Sequence, residues 1–413
     1  MWGNIAIAFM IAYMVAFMTT PYTIKIANKI GIIDKPKDKR RMHTRTIPKF
    51  GGPAIIVGFI VSTIYLLIVM SIENSIDLFT KENYAIKLIG LLLGTIIIAI
   101  TGIIDDIKNI KPIQKLFGQL LAAIVIVAFG IKIEHLTIPF LYQIGLSEVF
   151  STILTIIWIV GITNAINLID GLDGLSSGIS LISCVSLLII FALNESPLIA
   201  IILITALIGA LVGFLPFNFS PAKTFLGDTG SNFLGFMISV ISILGVAKTY
   251  TAVVIVLPVI VLGIPIFDVT FAIIRRIIKG KSIRAIFKPD KGHLHHKLVE
   301  RGFSQKQAVL ILYGASATFG IFAVILFDSG LWKALSFLLM MIATVGVGYR
   351  NFNKEKEQED VMYECSVCKY IYNPKIGNER AGIKKGTTFE ELPEEWVCPV
   401  CGERKDMFEI SQQ

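Results

Sequence analysis

Five short segments of this chain combine acids, amides, glycines and histidines in patterns that bear on chemistry. TGIIDDIKNIKP carries Asp105 and Asp106, and NAINLIDGLDGL carries Asn164, Asn167, Asp170 and Asp173. FLGDTGSNFLG carries Asp228, GIPIFDVTFAIIRR carries Asp268, and KPDKGHLHHKL carries His293, His295 and His296. The carboxylates lie at or near the ends of long apolar runs, where an ionised group is costly and is by default a functional candidate. Taken singly, each has a plainer explanation. Asp228 or Asp173 can cap a helix, Asp268 can pair with Arg275 or Arg276 about two turns away, and histidines on a basic loop can be merely solvated. Taken together, the set exceeds what capping needs. It suits metal-assisted work on phosphates, because Mg²⁺ takes carboxylate oxygens, waters and substrate phosphates and neutralises charge on a leaving phosphate. Asn164 and Asn167 can orient a phosphate or a metal-bound water. Gly171, Gly174, Gly227 and Gly230 let backbone approach a ligand. Lys115 and the histidines can supply charge or hydrogen bonds to phosphate oxygens.

The elements that must position these groups are legible from composition. The 413 residues are 54% hydrophobic and 16% charged, with a mean hydropathy of +0.73. Eleven apolar runs recur, at 3–24, 52–72, 86–104, 115–131, 148–166, 178–194, 197–216, 230–247, 251–273, 307–327 and 330–349. A run of about 20 such residues spans a bilayer, and in lipid it must be helical to satisfy its backbone. The expected class is an all-α polytopic membrane protein with about eleven transmembrane helices. The first run has no basic segment before it, so it reads as a retained span with the N-terminus outside. Lys and Arg crowd the loops after the first and ninth runs, while the opposite loops hold little beyond Lys81, Lys87, Lys132 and Lys248. The crowded loops, and with them every acidic motif and the C-terminus, are expected in the cytoplasm. The formal charge of +8 hides an acidic tail: residues 355–413 hold eight basic and thirteen acidic residues. Nothing points to nucleic acid.

The chain divides into a membrane domain, 1–350, a polar linker, 351–360 (NFNKEKEQED), and a small domain, 361–413. Cys184 lies alone in an apolar run and reads as packing. The other four cysteines, Cys365, Cys368, Cys398 and Cys401, make two C-x-x-C knuckles separated by 29 residues. Four thiolates bind Zn or Fe tetrahedrally, and a reducing compartment disfavours disulfides. Spacing alone favours zinc.

GIIDD, NAINLIDGLDGLSSG, FLGDTGS and GHLHHKL closely resemble the signature segments of the polyprenyl-phosphate N-acetylhexosamine-1-phosphate transferases, which include phospho-N-acetylmuramoyl-pentapeptide transferase. The resemblance covers about residues 1–350. Eleven spans and the H-x-H-H loop are more similar to the branch using UDP-N-acetylglucosamine than to the ten-span muramoyl-pentapeptide branch. The resemblance implies a Mg²⁺- or Mn²⁺-dependent reaction at a plasma (inner) membrane. UDP-HexNAc and polyprenyl (undecaprenyl) phosphate give polyprenyl-diphospho-HexNAc and UMP, initiating cell-envelope glycan synthesis. By the same resemblance, Asp228 is the main metal ligand, Asn167 and Asp170 shape the nucleotide-sugar site, and Asp105 and Asp106 lie near the lipid phosphate. Lys115 matches a family lysine, and His293, His295 and His296 contact phosphates. HTRTIPKFGG, with His43, Pro48, Gly51 and Gly52, fits the family as a structural loop. A phosphate monoester is mostly a dianion at pH 7, its second pKa being about 6. Asp105 is therefore expected to position lipid phosphate or metal rather than to remove a proton. A covalent aspartyl route is the alternative.

Residues 361–413 look like rubredoxin, which holds one iron in four thiolates. Tyr363, Tyr370, Tyr372, Phe389, Trp396 and Phe408 supply the aromatic core, and Lys369 replaces the usual glycine after the second cysteine. The fold expected there is small and mostly irregular with some β-structure. Its electron-transfer partner is not specified by the sequence, and a homodimer is left open. Three further classes fit the sequence less well. CDP-alcohol phosphatidyltransferases need D-G-x-x-A-R, which Asp170–Leu175 does not match. A transporter predicts midplane acids. A membrane redox protein centred on the tail needs redox ligands in the spans, and none is evident.

Overall fold

The computed structural model describes residues 2–34, 46–73, 84–137, 143–246, 256–280, 292–374, 376–378, 381–384 and 387–411. His43 and the basic stretches 35–45 and 281–291 lie outside them. Two compact units form, Met1–Leu335 and Ser336–Gln413.

The membrane unit is a helical bundle: α1 (Trp2–Ile30), α2 (Gly52–Ile72), α3 (Tyr84–Lys108), α4 (Pro112–Ala128), α5 (Glu148–Leu168), α6 (Leu175–Leu193) and α7 (Leu198–Asn218) come first. α8 (Gly227–Val246), α9 (Val256–Val261), α10 (Gly263–Gly280), α11 (Leu294–Glu300) and α12 (Gln305–Ser329) follow, and α13 (Leu331–Asp360) starts in this unit and continues into the second. Two short antiparallel pairs, β1 (Ile33–Asp34) with β2 (Ile47–Pro48) and β3 (His135–Thr137) with β4 (Gln143–Gly145), join helices.

Among the described residues, seven helices are long and apolar enough to cross a bilayer: α1, α2, α3, α5, α6, α7 and α12. The expected count of eleven is not reached on that measure. α4 and the first part of α13 are apolar but shorter, and α8 opens on the polar GDTGSN. The run expected as one span at 251–273 is broken, α9 ending at Val261 and α10 starting at Gly263. Pro265 has no N–H to give the carbonyl of Val261, and its ring crowds that oxygen. Ser183 Oγ approaches the same carbonyl at 3.5 Å. Residues 351–360, expected as a polar linker, are the last part of α13.

α7 is hydrophobic all round because protein surrounds it; 83% of its most apolar window is buried, against 28% for α1 and α12. Small residues bring its neighbours close. Ala8, Ala12 and Ala16 of α1 are fully buried. A Cβ at Gly209 or Gly213 of α7 would stand 2.4 Å from the carbonyl oxygens of Phe9 and Tyr13. Exposed Ile and Val residues such as Ile68, Ile96, Ile124 and Ile157 give the outer helices an apolar rim, as lipid contact requires.

The second unit includes a three-stranded antiparallel sheet, β5 (Tyr363–Cys365) lying between β6 (Ile371–Tyr372) and β7 (Phe408–Ile410). Tyr363 stacks on Phe389 at 4.1 Å between centroids. Phe389, Trp396 and Phe408 complete a buried aromatic cluster.

Candidate active site and cysteine centre

The acidic motifs converge at one end of the bundle. Asp105 and Asp106 close α3, Lys115 opens α4, Asn164 and Asn167 end α5, and Asp228 opens α8. Asp228 is the hub. Its Oδ2 meets Lys49 Nζ at 2.5 Å, its Oδ1 pairs with Lys115 Nζ, and Asn167 Nδ2 donates to Oδ1 at 3.0 Å. Lys115 also donates to Asn167 Oδ1 at 2.8 Å and meets Asp105 Oδ2 at 3.1 Å. Lys49 reaches Asp106 Oδ1 at 3.2 Å. Burial pulls the Lys49 ammonium down, but Asp228 and Asp106 more than offset this and hold it above the usual lysine range.

Asp106 does something the sequence reading did not assign to it. It accepts from the N–H groups of Asp228 and Thr229, at 2.8 and 2.9 Å, and from Thr229 Oγ1 at 2.6 Å. It therefore caps α8 from across the helix pair, satisfying orphan donors that α8's own residues leave open. Asp228, suspected as a cap, lies inside the first turn instead. Asp105 Oδ1 accepts from Ile110 N–H at 3.0 Å. Asp173 is not a side-chain cap of α6 either: Gly174 occupies that position with φ +75°, and Asp173 Oδ2 accepts from Ala222 N–H at 3.0 Å.

Asp170 follows α5 and is half-buried. Burial first, then the field of Asp228 and Asp106, push its carboxyl up to about 8, against the opposing pull of Lys49 and Lys115. A carboxyl so placed gains from a nearby cation.

The histidine segment reaches this end through Gly171. A Cβ there would lie 2.3 Å from His295 Nε2, so the ring rests on the backbone of the Asp170 loop. Asp268 holds the segment: its Oδ2 meets His293 Nδ1 at 2.7 Å and its Oδ1 accepts from Leu294 N–H at 2.8 Å. This is the partner of Asp268, in place of the arginine pairing considered from sequence. His296 packs on His295 at 4.3 Å between centroids. Burial, with His296 adding to it, lowers His295 to about 3, so it is a neutral imidazole at any physiological pH. Its buried Nδ1 has no hydrogen-bond partner among the described residues.

Several site residues escaped the sequence reading. Lys49 was counted only as loop charge, and Gln119, Thr229, Ser231 and Asn232 were passed over. The helical spacing of Gln119 from Lys115, and of Asn232 from Asp228, was the available signal. For Lys49 it was the adjoining Gly51-Gly52. A Cβ at Gly52 would stand 2.3 Å from Gly230 N, so this loop lies directly against the start of α8.

In the second unit, one sulfur from each of Cys365, Cys368, Cys398 and Cys401 lies within 4.8 Å of the others. The Cys365–Cys401 and Cys368–Cys398 sulfurs are 3.7 and 3.4 Å apart. A metal about 2.3 Å from each thiolate sets tetrahedral edges of about 3.8 Å, so the donor set fits one metal ion. Lys369 adopts φ +64° and its N–H donates to Cys365 O at 2.9 Å. The turn that usually takes glycine is made here with a strained lysine, whose ammonium meets Glu364 at 3.0 Å.

The fold and the two sites define a class: a multi-pass helical protein whose polar end gathers carboxylates and lysines, with a four-thiolate metal-binding appendage. The family model described as glycosyl transferase family 4 matches residues 88–246, and that of rubredoxin matches 362–408. The chain is 39% identical over 342 residues to a probable undecaprenyl-phosphate N-acetylglucosaminyl 1-phosphate transferase of Bacillus subtilis, covering 82% of this chain and 89% of that one. It is 31% identical to a decaprenyl-phosphate N-acetylglucosaminephosphotransferase of Mycolicibacterium smegmatis, over 83% and 87% of the two chains. It is also 31% identical to an undecaprenyl-phosphate alpha-N-acetylglucosaminyl 1-phosphate transferase of Haemophilus influenzae, over 76% and 83%. The chain belongs to glycosyl transferase family 4, the polyprenyl-phosphate N-acetylhexosamine-1-phosphate transferases, and carries a C-terminal rubredoxin domain.

Proposed function

We propose that this protein transfers N-acetylglucosamine-1-phosphate from UDP-N-acetylglucosamine to a polyprenyl phosphate at the cytoplasmic face of the plasma membrane, releasing UMP. The convergence of Asp105, Asp106, Asp228, Lys115 and Asn167 at one end of the bundle carries this reading. All but Lys115 belong to the motifs on which the family resemblance rests, and Lys115 matches a family lysine. A phosphate oxygen of the lipid attacks the β-phosphorus of the nucleotide sugar. The bond from that phosphorus to the bridging oxygen breaks, and UMP leaves with the electron pair.

The carboxylates of Asp228 and Asp170 and the Oδ1 of Asn167 would supply the oxygen donors that Mg²⁺ or Mn²⁺ takes; Lys49 and Lys115 now neutralise Asp228 in that place. Such an ion, when bound, neutralises charge on the pyrophosphate. Lys49 and Lys115 offer two ammonium groups at the same end, placed to receive phosphate oxygens. His295, neutral and resting on Gly171, offers a hydrogen bond rather than a charge. Asp105 is engaged by Lys115 and by the Ile110 N–H. That supports a positioning role, since the lipid phosphate dianion leaves a base little to remove. The cytoplasmic placement rests on the crowding of Lys and Arg in the loops at the motif end.

The test is UMP release by the detergent-purified protein with polyprenyl phosphate, Mg²⁺ and a panel of UDP-sugars. UDP-N-acetylglucosamine is expected to be used best. A folded protein that releases no UMP from any sugar overturns the proposal. Preference for UDP-N-acetylmuramoyl-pentapeptide would move it to the other branch. For Asp105, an Asp105→Asn variant inactive at pH 6 but restored at pH 8 would establish the base role instead.

A further inference from the structure

One helical turn from the charged groups lies a second layer, made only of amides. Lys115 and Gln119 are four residues apart on α4, Asn167 and Asn164 three apart on α5, and Asp228 and Asn232 four apart on α8. Each helix thus presents one reacting-layer group and one amide on the same face. Asn164 Nδ2 donates to Gln119 Oε1 at 2.6 Å and to Val160 O at 2.8 Å. Gln119 Nε2 approaches Asn164 Oδ1 at 3.4 Å and donates to Asn232 Oδ1 at 2.8 Å. Asn232 Nδ2 donates to the backbone oxygen of Asp228 at 2.6 Å. Gln119 and Asn232 are each 1% exposed.

We propose that Gln119, Asn164 and Asn232 form a positioning layer that locks the rotation of α4, α5 and α8 so that Lys115, Asn167 and Asp228 face one another. The inference rests on the functional reading above and deepens it. It reassigns Asn164 from substrate contact to positioning, because its amide is engaged by Gln119 and by the Val160 carbonyl. The chain of amides has a fixed direction. The Val160 and Asp228 carbonyls can only accept, so the Asn164 and Asn232 nitrogens must point at them. The remaining oxygens then demand a donor from Gln119, and a buried partner left unsatisfied is costly. Gln119 is the keystone, and among the described residues its hydrogen bonds go to Asn164 and Asn232 and to none of the charged groups.

Outer partners that orient metal ligands typically matter by 10–100-fold in metal affinity or activity. The experiment uses the full chain in detergent and Mn²⁺ as probe, counting free Mn²⁺ by electron paramagnetic resonance without substrates, then measuring UMP release. Gln119→Met keeps the volume and removes the hydrogen bonds. Its Mn²⁺ affinity is expected to fall about tenfold and its kcat at least as much, with little change in KM for either substrate. Gln119→Glu tests direction. Burial favours the neutral acid, whose O–H can still face Asn232 Oδ1, and ionisation removes that donor. The ratio of its kcat to wild type should be near one at pH 6 and fall toward pH 9. Wild-type values in Gln119→Met, or a flat ratio in Gln119→Glu, overturn the proposal. Should Gln119→Met fail to fold, Gln119→Glu still decides. Wild-type protein that binds Mn²⁺ but releases no UMP sinks the transferase reading, while the Mn²⁺ arm still judges the amide layer. Wild type that releases UMP but binds no Mn²⁺ without substrates overturns the link from the amide layer to metal affinity and leaves the transferase reading standing.

Discussion

The two candidate centres of this chain are assembled in opposite ways. The cysteine centre takes its four ligands from two knuckles of four residues each, and the turn of each knuckle sets the geometry locally. The candidate transferase site takes Lys49, Asp105, Asp106, Lys115, Asn167, Asp170 and Asp228 from two loops and the ends of four helices. No two of its helices bring the site together alone. A local centre is specified by spacing and tolerates change elsewhere. A distributed one depends on how closely and at what rotation helices meet.

Changes at the hub should separate the two most sharply. Asp228→Asn is expected to lower UMP release about a thousandfold, since several kcal/mol of phosphate-charge stabilisation go with the ion it would hold. The visible iron–thiolate spectrum should not change. If the spectrum shifts as well, the two centres are not independent. The converse is removal of iron from the tail by Cys365→Ser with Cys398→Ser. The second unit should lose its cooperative melting, because metal binding and folding are linked in so small a domain, while transferase activity survives. A purified tail that is colourless and binds zinc would instead break the iron assignment.

A smaller effect probes the helix contacts. At Gly102 of α3 an added Cβ would lie 2.4 Å from Thr229 Cα, a backbone atom that cannot turn away. Gly102→Ala must push α3 from α8, one turn from where Asp106 caps that helix. A displacement of about 1 Å at such a site costs on the order of a hundredfold in rate, and UMP release should fall by about that. Activity near wild type would show that the site tolerates loose packing, against the contrast drawn above.

His295 gives a pH test. Its folded-state value is lowered to about 3, so between there and the ordinary histidine range the unfolded chain binds a proton that the folded chain refuses. The stabilising effect is full above about pH 6.5 and is lost as pH falls through that value toward 3. His295→Gln should therefore flatten the fall in Tm between pH 7 and pH 5. An unchanged acid limb would show that the ring is not held neutral. The smallest expected effect lies in the tail: Lys369→Gly relieves the left-handed backbone at φ +64° and should raise the Tm of the iron-bound unit by a few degrees, read from loss of visible absorbance. A fall would mean that the Lys369–Glu364 pair outweighs the strain.

Much of this was legible in the sequence. The helix at 52–72 has the bounds that its apolar run predicts, and most other runs fall on single helices. Where that failed, at 251–273, the cause was Pro265, whose missing donor breaks the ladder despite continuous apolarity. The acidic motifs were recognised because carboxylates beside apolar runs are conspicuous. Lys49 was hidden because a lysine in a basic loop is not, and Gln119 because its one signal, the four-residue spacing from Lys115, is faint for a single neutral amide on an apolar helix.

By itself the sequence determined that the chain is a multi-pass helical membrane protein of phosphate chemistry with a four-thiolate appendage. Hydropathy, motif composition and cysteine spacing are local properties, readable without knowing what touches what. Only the tertiary structure decided that Asp106 caps α8 rather than facing outward, that Asp268 holds His293, and that Lys49 joins Asp228. It likewise decided that three amides tie α4, α5 and α8 together beneath the charged layer. Those outcomes depend on the rotation and close approach of separate helices, set by glycine and alanine contacts whose partners lie far away in the chain.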